Sequence, residues 1–161
     1  GIMIRQPSAL FVKMDSPFKT WADVAKAARA SPGKLKVAIL GAGNLGLALA
    51  DYPGFRQEGF QIVALFDALA SKVGQRSRAG VPIFDIKSLR RIAAREKIAI
   101  AVVAVPAESA QQVVNQVVEA GIKAILNFSP GTLTAPDGVK LKSVDLTVSL
   151  ESLSFYLAQE D

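Results

Sequence analysis

The chain has 161 residues, enough for one compact domain and too few for two ordinary ones. It contains no cysteine and no histidine, which excludes disulfides and thiolate metal sites and removes the commonest metal ligand and general acid–base residue. The net charge of +5 is modestly basic and reads as solubility, the alternative being a surface for phosphates.

The basic residues are scattered apart from small clusters at "SKVGQRSR" and "KSLRRIAAREK", and no aromatic-interleaved stripe suited to single-stranded nucleic acid is present. The longest apolar run, "KIAIAVVAVPA", falls short of the roughly 20 residues a membrane span needs. "GIMIRQPS" lacks a charged start followed by an apolar block, so no signal peptide is expected and the location implied is cytoplasmic, with no membrane partner. Gly1 in place of Met implies a tag remnant or an internal start.

In chain order, "SALFVKM" (8–14) reads as a strand. A helix then starts near Thr20, an N-cap residue with Asp23 three positions on, and stops at "SPGK". "LKVAIL" (35–40) is a short continuous apolar run, the pattern of a buried parallel strand. "NLGLALADY" opens a helix broken at "PGF", and "FQIVALFD" (60–67) is the next strand. A polar loop over 68–80 leads to a short strand at "VPIF". "DIKSLRRIAAREK" is an amphipathic helix with Ile86, Leu89, Ile92 and Ala93 on one face. "IAIAVVAV" is a buried strand, "AESAQQVVNQVVEAG" a helix stopped by Gly121, and "KAILNFSP" a strand running into a loop. "VKLKSVDLTV" reads as the last strand and "SLESLSFYLAQE" as the closing helix. Strand and helix alternate throughout, which predicts an α/β fold: a doubly wound, mostly parallel sheet with helices on both faces.

Gly41, Gly43 and Gly46 match G-x-G-x-x-G between a strand and a helix. Gly41 permits the turn off the strand, Gly43 lets the backbone approach a pyrophosphate, and Gly46 lets helix and strand pack closely. The helix N-terminus offers N–H groups and a positive dipole end to phosphates. Asp67 ends the following strand about 20 residues on, where a carboxylate accepts hydrogen bonds from an adenosine ribose. An acid there favours NAD over NADP, although Lys72, Arg76 and Arg78 are nearby cations able to accept a phosphate. The competing readings are a strand–helix turn that binds nothing and, among ligands, coenzyme A.

No G-x-x-x-x-G-K-[ST] is present, which argues against a nucleoside triphosphatase. Neither Tyr52 nor Tyr156 has a lysine four positions on. Lacking the usual proton-transfer residues, the chain is expected to be a binder or sensor with no catalytic residue and no metal site, rather than a small NAD-dependent oxidoreductase. Ligands of such sheets bind outside the carboxyl ends of the strands, which brings in two more segments. In "AVPAES", Pro106 and Ala107 leave room for a flat ring, or simply start a helix. In "NFSPG", Asn127 and Ser129 bond a ribose or carboxamide, or simply serve the turn's backbone. The apolar load of the last helix, Leu150, Leu153, Phe155, Tyr156 and Leu157, packs on its own core or on a second subunit.

The blocks "VAILGAGNLGLALADYPGF", "FDALASKVG", "VAVPAESAQQVVNQVVEAGIKAILNFSP" and "VDLTVSLESLSFYLAQ" closely resemble the Rex family of bacterial redox-sensing transcriptional repressors, over about residues 35–160. The resemblance implies a Rossmann domain over 35–161 that binds NADH or NAD⁺, normally joined to a winged-helix DNA-binding domain, in a homodimer whose domain angle answers the cofactor's redox state. By motif, Gly41, Gly43, Asn44, Leu45 and Gly46 hold the pyrophosphate; Asp67 and Lys72 hold the adenosine end; Val105, Pro106, Asn127, Phe128 and Ser129 lie near the nicotinamide half. Tyr52 and Asp145 fall in blocks near the dimer contact, and the helix over 148–159 is exchanged onto the partner.

The first 34 residues depart from that family. "SALFVKMDSPFKTWADVAKAARASPGKL" is similar to periplasmic solute-binding proteins of tripartite tricarboxylate transporters, and no winged helix precedes the glycine turn. The combination implies a chimera in which a foreign strand–helix unit, 1–34, joins a Rex-type domain, the alternative being a natural relative with an unusual leader. Two expectations follow: no specific operator-DNA binding by this chain, and an extra strand "ALFVK" at a sheet edge, inserted beside "VAIL", or displacing a native strand.

Overall fold

A computed structural model describes residues 35–159; the expected strand at 8–14, the helix from Thr20 and the position of "ALFVK" all lie outside the described residues. The described chain forms β1 (Leu35–Leu40), α1 (Asn44–Asp51), a short turn of helix α2 (Gly54–Gln57), β2 (Phe60–Asp67) and β3 (Ile83–Asp85). A 3₁₀ turn (Ile86–Ser88) then leads into α3 (Leu89–Glu96), followed by β4 (Ile100–Val103), α4 (Ala107–Glu119), β5 (Ala124–Asn127), β6 (Lys140–Ser143) and α5 (Leu146–Gln159).

The six strands form one sheet in the order β3-β2-β1-β4-β5-β6, and every pairing is parallel. From β1 in the middle of the sheet, the described chain winds out to β3, returns and winds out the other way. β1 is hydrogen-bonded on both sides, to β2 and β4, so neither of its edges is open to another strand. Its register with β2 slips between Val37 and Ala38, so that Val63 has no partner of its own.

Alternation along β1 explains the two-sided core. Ala38 and Leu40 join Ala64, Phe66 and Val103 on one face, against Leu89 and Ile92 of α3 and Val113, Val114 and Val117 of α4. Val37 and Ile39 join Leu65, Ile83 and Val102 on the other, against Ala50 of α1. Burial on both faces is why these strands read as continuous apolar runs rather than alternating ones.

Two of the differences between the element boundaries and the sequence reading have a visible physical cause. The helix expected over 85–97 opens as a 3₁₀ turn, because the Asp85 carboxylate accepts the Lys87 N–H at 2.9 Å and tightens the entry. The last strand was expected to run through Val148, but it ends at Ser143, and Leu146–Val148 already belong to α5. Val144 spends its N–H on the Asn127 carbonyl at 2.8 Å as the chain leaves the sheet. Asp145, a residue type favoured before a helix, follows immediately.

Candidate functional site

The glycine turn has the geometry its sequence requires. Gly41 sits at φ +111°, and a Cβ on it would collide with the Ala104 carbonyl oxygen. A Cβ on Gly46 would land on the carbonyl oxygen of Gly41, so α1 lies directly against the turn. Gly43 is different: nothing lies within 4 Å of where its Cβ would be. The space beside it is open, and Gly43 caps α1 without a side-chain bond, which leaves the first-turn N–H groups of the helix facing out. Two glycines are therefore required by packing, while the third, Gly43, borders open space.

Asp67 and Lys72 grip the peptide between those glycines. The Ala42 N–H donates to Asp67 Oδ2 at 2.8 Å, and Lys72 Nζ donates to the Ala42 carbonyl at 3.1 Å. Asp67 Oδ1 accepts the Leu69 N–H at 2.9 Å. Each carboxylate oxygen keeps a lone pair beyond its backbone bond, so the group remains an acceptor for hydroxyls at the turn.

A cavity of about 440 Å³ opens at the carboxyl ends of β1, β2 and β4. Gly41, Gly43, Asp67, Lys72, Val105 and Pro106 line it, so six of the expected residues meet in one place. The others do not line it. Asn44 and Leu45 stand exposed at the start of α1, and Gly46 lies beneath the turn. Phe128 packs with the α1-side core.

Asn127 and Ser129 are spent on the chain itself. Asn127 is fully buried; its amide donates to the Ser129 carbonyl at 2.9 Å and to Ser143 Oγ at 3.2 Å, and its oxygen accepts the Ser129 N–H at 2.9 Å. Ser129 Oγ donates to the Val105 carbonyl at 2.6 Å and accepts the Val105 N–H at 3.1 Å. Of the two sequence readings of "NFSPG", these bonds are those of the backbone-serving one. The pair holds the Val105 peptide, and Val105 lines the cavity.

This is a fold and cleft with recorded counterparts. A profile of the CoA-binding-domain family matches residues 33–131. The chain is 46% identical over 124 residues to the redox-sensing transcriptional repressor Rex of Chloroflexus aurantiacus, covering 77% of this chain and 58% of that protein. It is 43% identical over 125 residues to Rex of Pelotomaculum thermopropionicum, covering 78% and 58%. The crystal structure of RSP in complex with β-NAD⁺ and operator DNA matches with a TM-score of 0.77 at 33% identity, over 93% of this chain and 70% of that one. RSP is described as a Rex-family repressor. The chain belongs to the CoA-binding-domain family, among its Rex-type members.

RSP has also been solved with β-NADH, and that structure matches with a TM-score of 0.77 at 35% identity over 86% of this chain and 66% of that one. These relatives are named as repressors rather than enzymes. This Rex-type chain spans about three fifths of the curated relatives it matches, at 58% of their length.

Sequence reasoning missed the far wall of the Rex-type cavity. Leu69 and Ile86 line it, as do Ser109, Gln112, Val113 and Gln116 along one stripe of α4. The signal was present: residues at i, i+3, i+4 and i+7 share a helix face, and this face flanks the β4 end. Tyr52 is exposed and stacks edge-on against Phe55, with centroids 5.0 Å apart, and Asp145 is exposed at the start of α5. Leu150, Leu153, Phe155, Tyr156 and Leu157 of α5 are each about 60% exposed or more, an extended apolar surface on one helix. No described helix is long and apolar enough to cross a membrane, and the described residues contain no cluster of acidic side chains able to hold a metal.

Proposed function

We propose that this chain is the NAD(H)-binding Rossmann domain of a Rex-type redox-sensing repressor. The observation that carries the reading is the open space at Gly43, the N-cap of α1, with Gly43 and Asp67 lining one cavity. A dinucleotide pyrophosphate fits against those N–H groups, and the adenosine ribose diol fits at Asp67. Asn44 and Leu45 reach the phosphates through backbone N–H groups, Gly41 and Gly46 hold the turn, and Lys72 keeps the Ala42 peptide in place. Val105, Pro106 and Phe128, braced by Asn127 and Ser129, shape the path toward the nicotinamide.

Coenzyme A is the second reading, favoured by the matching family profile. Its adenosine carries a 3′-phosphate on the ribose, which would stand against the Asp67 carboxylate; a free diol would not. A thermal-shift panel of NADH, NAD⁺, NADPH and coenzyme A decides between them. Stabilisation by the nicotinamide diol forms supports the first reading, and stabilisation by coenzyme A alone replaces it.

The exposed apolar face of α5 is the homodimer contact in this reading, exchanged between subunits, with Tyr52 and Asp145 near the junction. A sensor of this kind responds because each cofactor form binds the two dimer states with unequal affinity. Specific operator binding is assigned to a winged-helix unit rather than to residues 35–161. Residues 1–34 are read as a segment of separate, transporter-like origin joined ahead of β1; ligand binding by a chain trimmed to 33–161 tests whether the site depends on it.

A further inference from the structure

The α4 wall of the cavity has an unused hydrogen-bonding capacity. Gln112 and Gln116 stand one turn apart and both line the cavity. Neither side-chain amide has a hydrogen-bond partner among the described residues. Gln111, beside them on the helix, shows the contrast. Its amide accepts the Thr134 N–H at 3.0 Å and donates to the Thr134 carbonyl at 3.0 Å and to Asn115 Oδ1 at 2.9 Å. One glutamine of the three is a structural brace, while Gln112, exposed, and Gln116, half-buried, line the cavity with no protein partner for their amides among the described residues.

Their surroundings have the shape of a base pocket. Leu69, Ile86 and Val113 supply apolar lining to the same cavity, and Leu69 is more than half exposed. With phosphates at Gly43 and a ribose at Asp67, the remaining group of the nucleotide must extend past Asp67 into this part of the cavity. A purine would cover Leu69 with its face and meet the glutamine amides with its edge.

Resting on the NAD(H) reading above, we propose that Gln112 and Gln116 read the N1/N6 edge of the cofactor's adenine, making α4 the element that selects the base. A glutamine amide offers one donor and one acceptor side by side, the complement of an adenine edge. The same amide turned by half a rotation would accept hypoxanthine, so the deaminated cofactor is a poor probe. The 1,N6-etheno form of NAD⁺ is a better one, because its added ring occupies both edge atoms.

The test is titration calorimetry of NAD⁺ and 1,N6-etheno-NAD⁺ against the wild-type chain and a Gln112→Leu/Gln116→Leu double variant. The wild type is expected to bind the etheno form about ten-fold more weakly than NAD⁺, the discrimination of one good edge contact. The double variant is expected to lose about the same factor for NAD⁺ and to bind the two ligands nearly equally. Both side chains lie at the cavity surface, and a Gln112→Ala/Gln116→Ala pair, which keeps helix propensity, must give the same pattern. A preference for NAD⁺ that persists undiminished in the variants is steric and overturns the proposal. So does a variant that binds NAD⁺ as tightly as wild type. A wild-type chain that binds neither ligand sinks the cofactor reading itself and this proposal with it.

Discussion

Replacing Asn127 by alanine is expected to be among the costliest single truncations in this chain. Asn127 is fully buried at the end of β5 and makes three side-chain hydrogen bonds, two of them to the Ser129 backbone. Alanine removes all three and leaves the Ser129 N–H and carbonyl without those partners in a residue only 6% exposed. Two unpaired buried backbone groups cost about 1 to 1.5 kcal/mol each, and the space left by the amide adds to that, giving a loss of about 3 kcal/mol. For a domain of this size that is a fall in Tm of roughly 9 °C, with the urea midpoint reduced and the m-value unchanged. Asn127→Asp provides a signed control. One oxygen still accepts the Ser129 N–H, but the other faces the Ser129 carbonyl as a buried charge. Its folded-state pKa must therefore rise above the unfolded value, and its penalty grows as pH climbs above about 4 and shrinks below it. Relative to Asn127→Ala, the aspartate variant should gain stability as pH is lowered toward 4. Urea denaturation at several pH values reads both effects. A Tm change within about 2 °C for Asn127→Ala would show that the clamp at the β5 end is not what holds the loop.

The two glycines of the turn should separate fold from ligand. Gly46→Ala places a Cβ on the Gly41 carbonyl and should cost about 2 kcal/mol by urea denaturation, whereas Gly43→Ala meets no atom within 4 Å and should leave Tm nearly unchanged while weakening NADH in a fluorescence titration. Asp51 accepts the Ala79 N–H at 2.9 Å; burial pushes its carboxyl up, but the Ser77 hydroxyl, the Ala79 and Arg78 backbone and the Arg78 charge outweigh it, so its pKa lies below the usual value. A lowered folded pKa means the stabilisation is full above the unfolded pKa and is lost as pH falls through the folded one, so Asp51→Asn should cost up to about 1 kcal/mol at pH 7 and progressively less as pH is lowered below about 4, read by denaturant midpoints. Leu153→Asp/Phe155→Asp should convert a dimer to a monomer in sedimentation velocity; a wild-type chain that sediments as a monomer would remove the role assigned to α5.

The parallel sheet was readable because its strands are buried on both faces: "LKVAIL" and "FQIVALFD" match β1 and β2 to the residue. The last strand was over-extended because "DLTV" carries an apolar spacing that suits a strand or a helix start, and only the bond from Val144 to the Asn127 carbonyl marks where the sheet ends. At the site, residues beside the glycine turn and at strand ends were legible, since motif spacing and strand polarity place Gly43, Asp67, Val105 and Pro106 together. Asn127 and Ser129 show the opposite limit. A polar residue after a strand has the same appearance in sequence whether it meets a ligand or ties a loop, and only their hydrogen bonds distinguish the two. Gln112 and Gln116 went unseen because their neighbour Gln111 is chemically identical and only the helix's rotation separates brace from cavity wall.

The central claim is that the glycine turn and Asp67 form a nicotinamide-dinucleotide site, and direct titration of the chain with NADH, wild type against Asp67→Ala, tests it most closely. NADH is expected to bind with low-micromolar or tighter affinity, about −8 kcal/mol or better, weakened roughly 30-fold when the carboxylate is removed. No NADH binding by the folded wild-type chain, or equal affinity in Asp67→Ala, would contradict it.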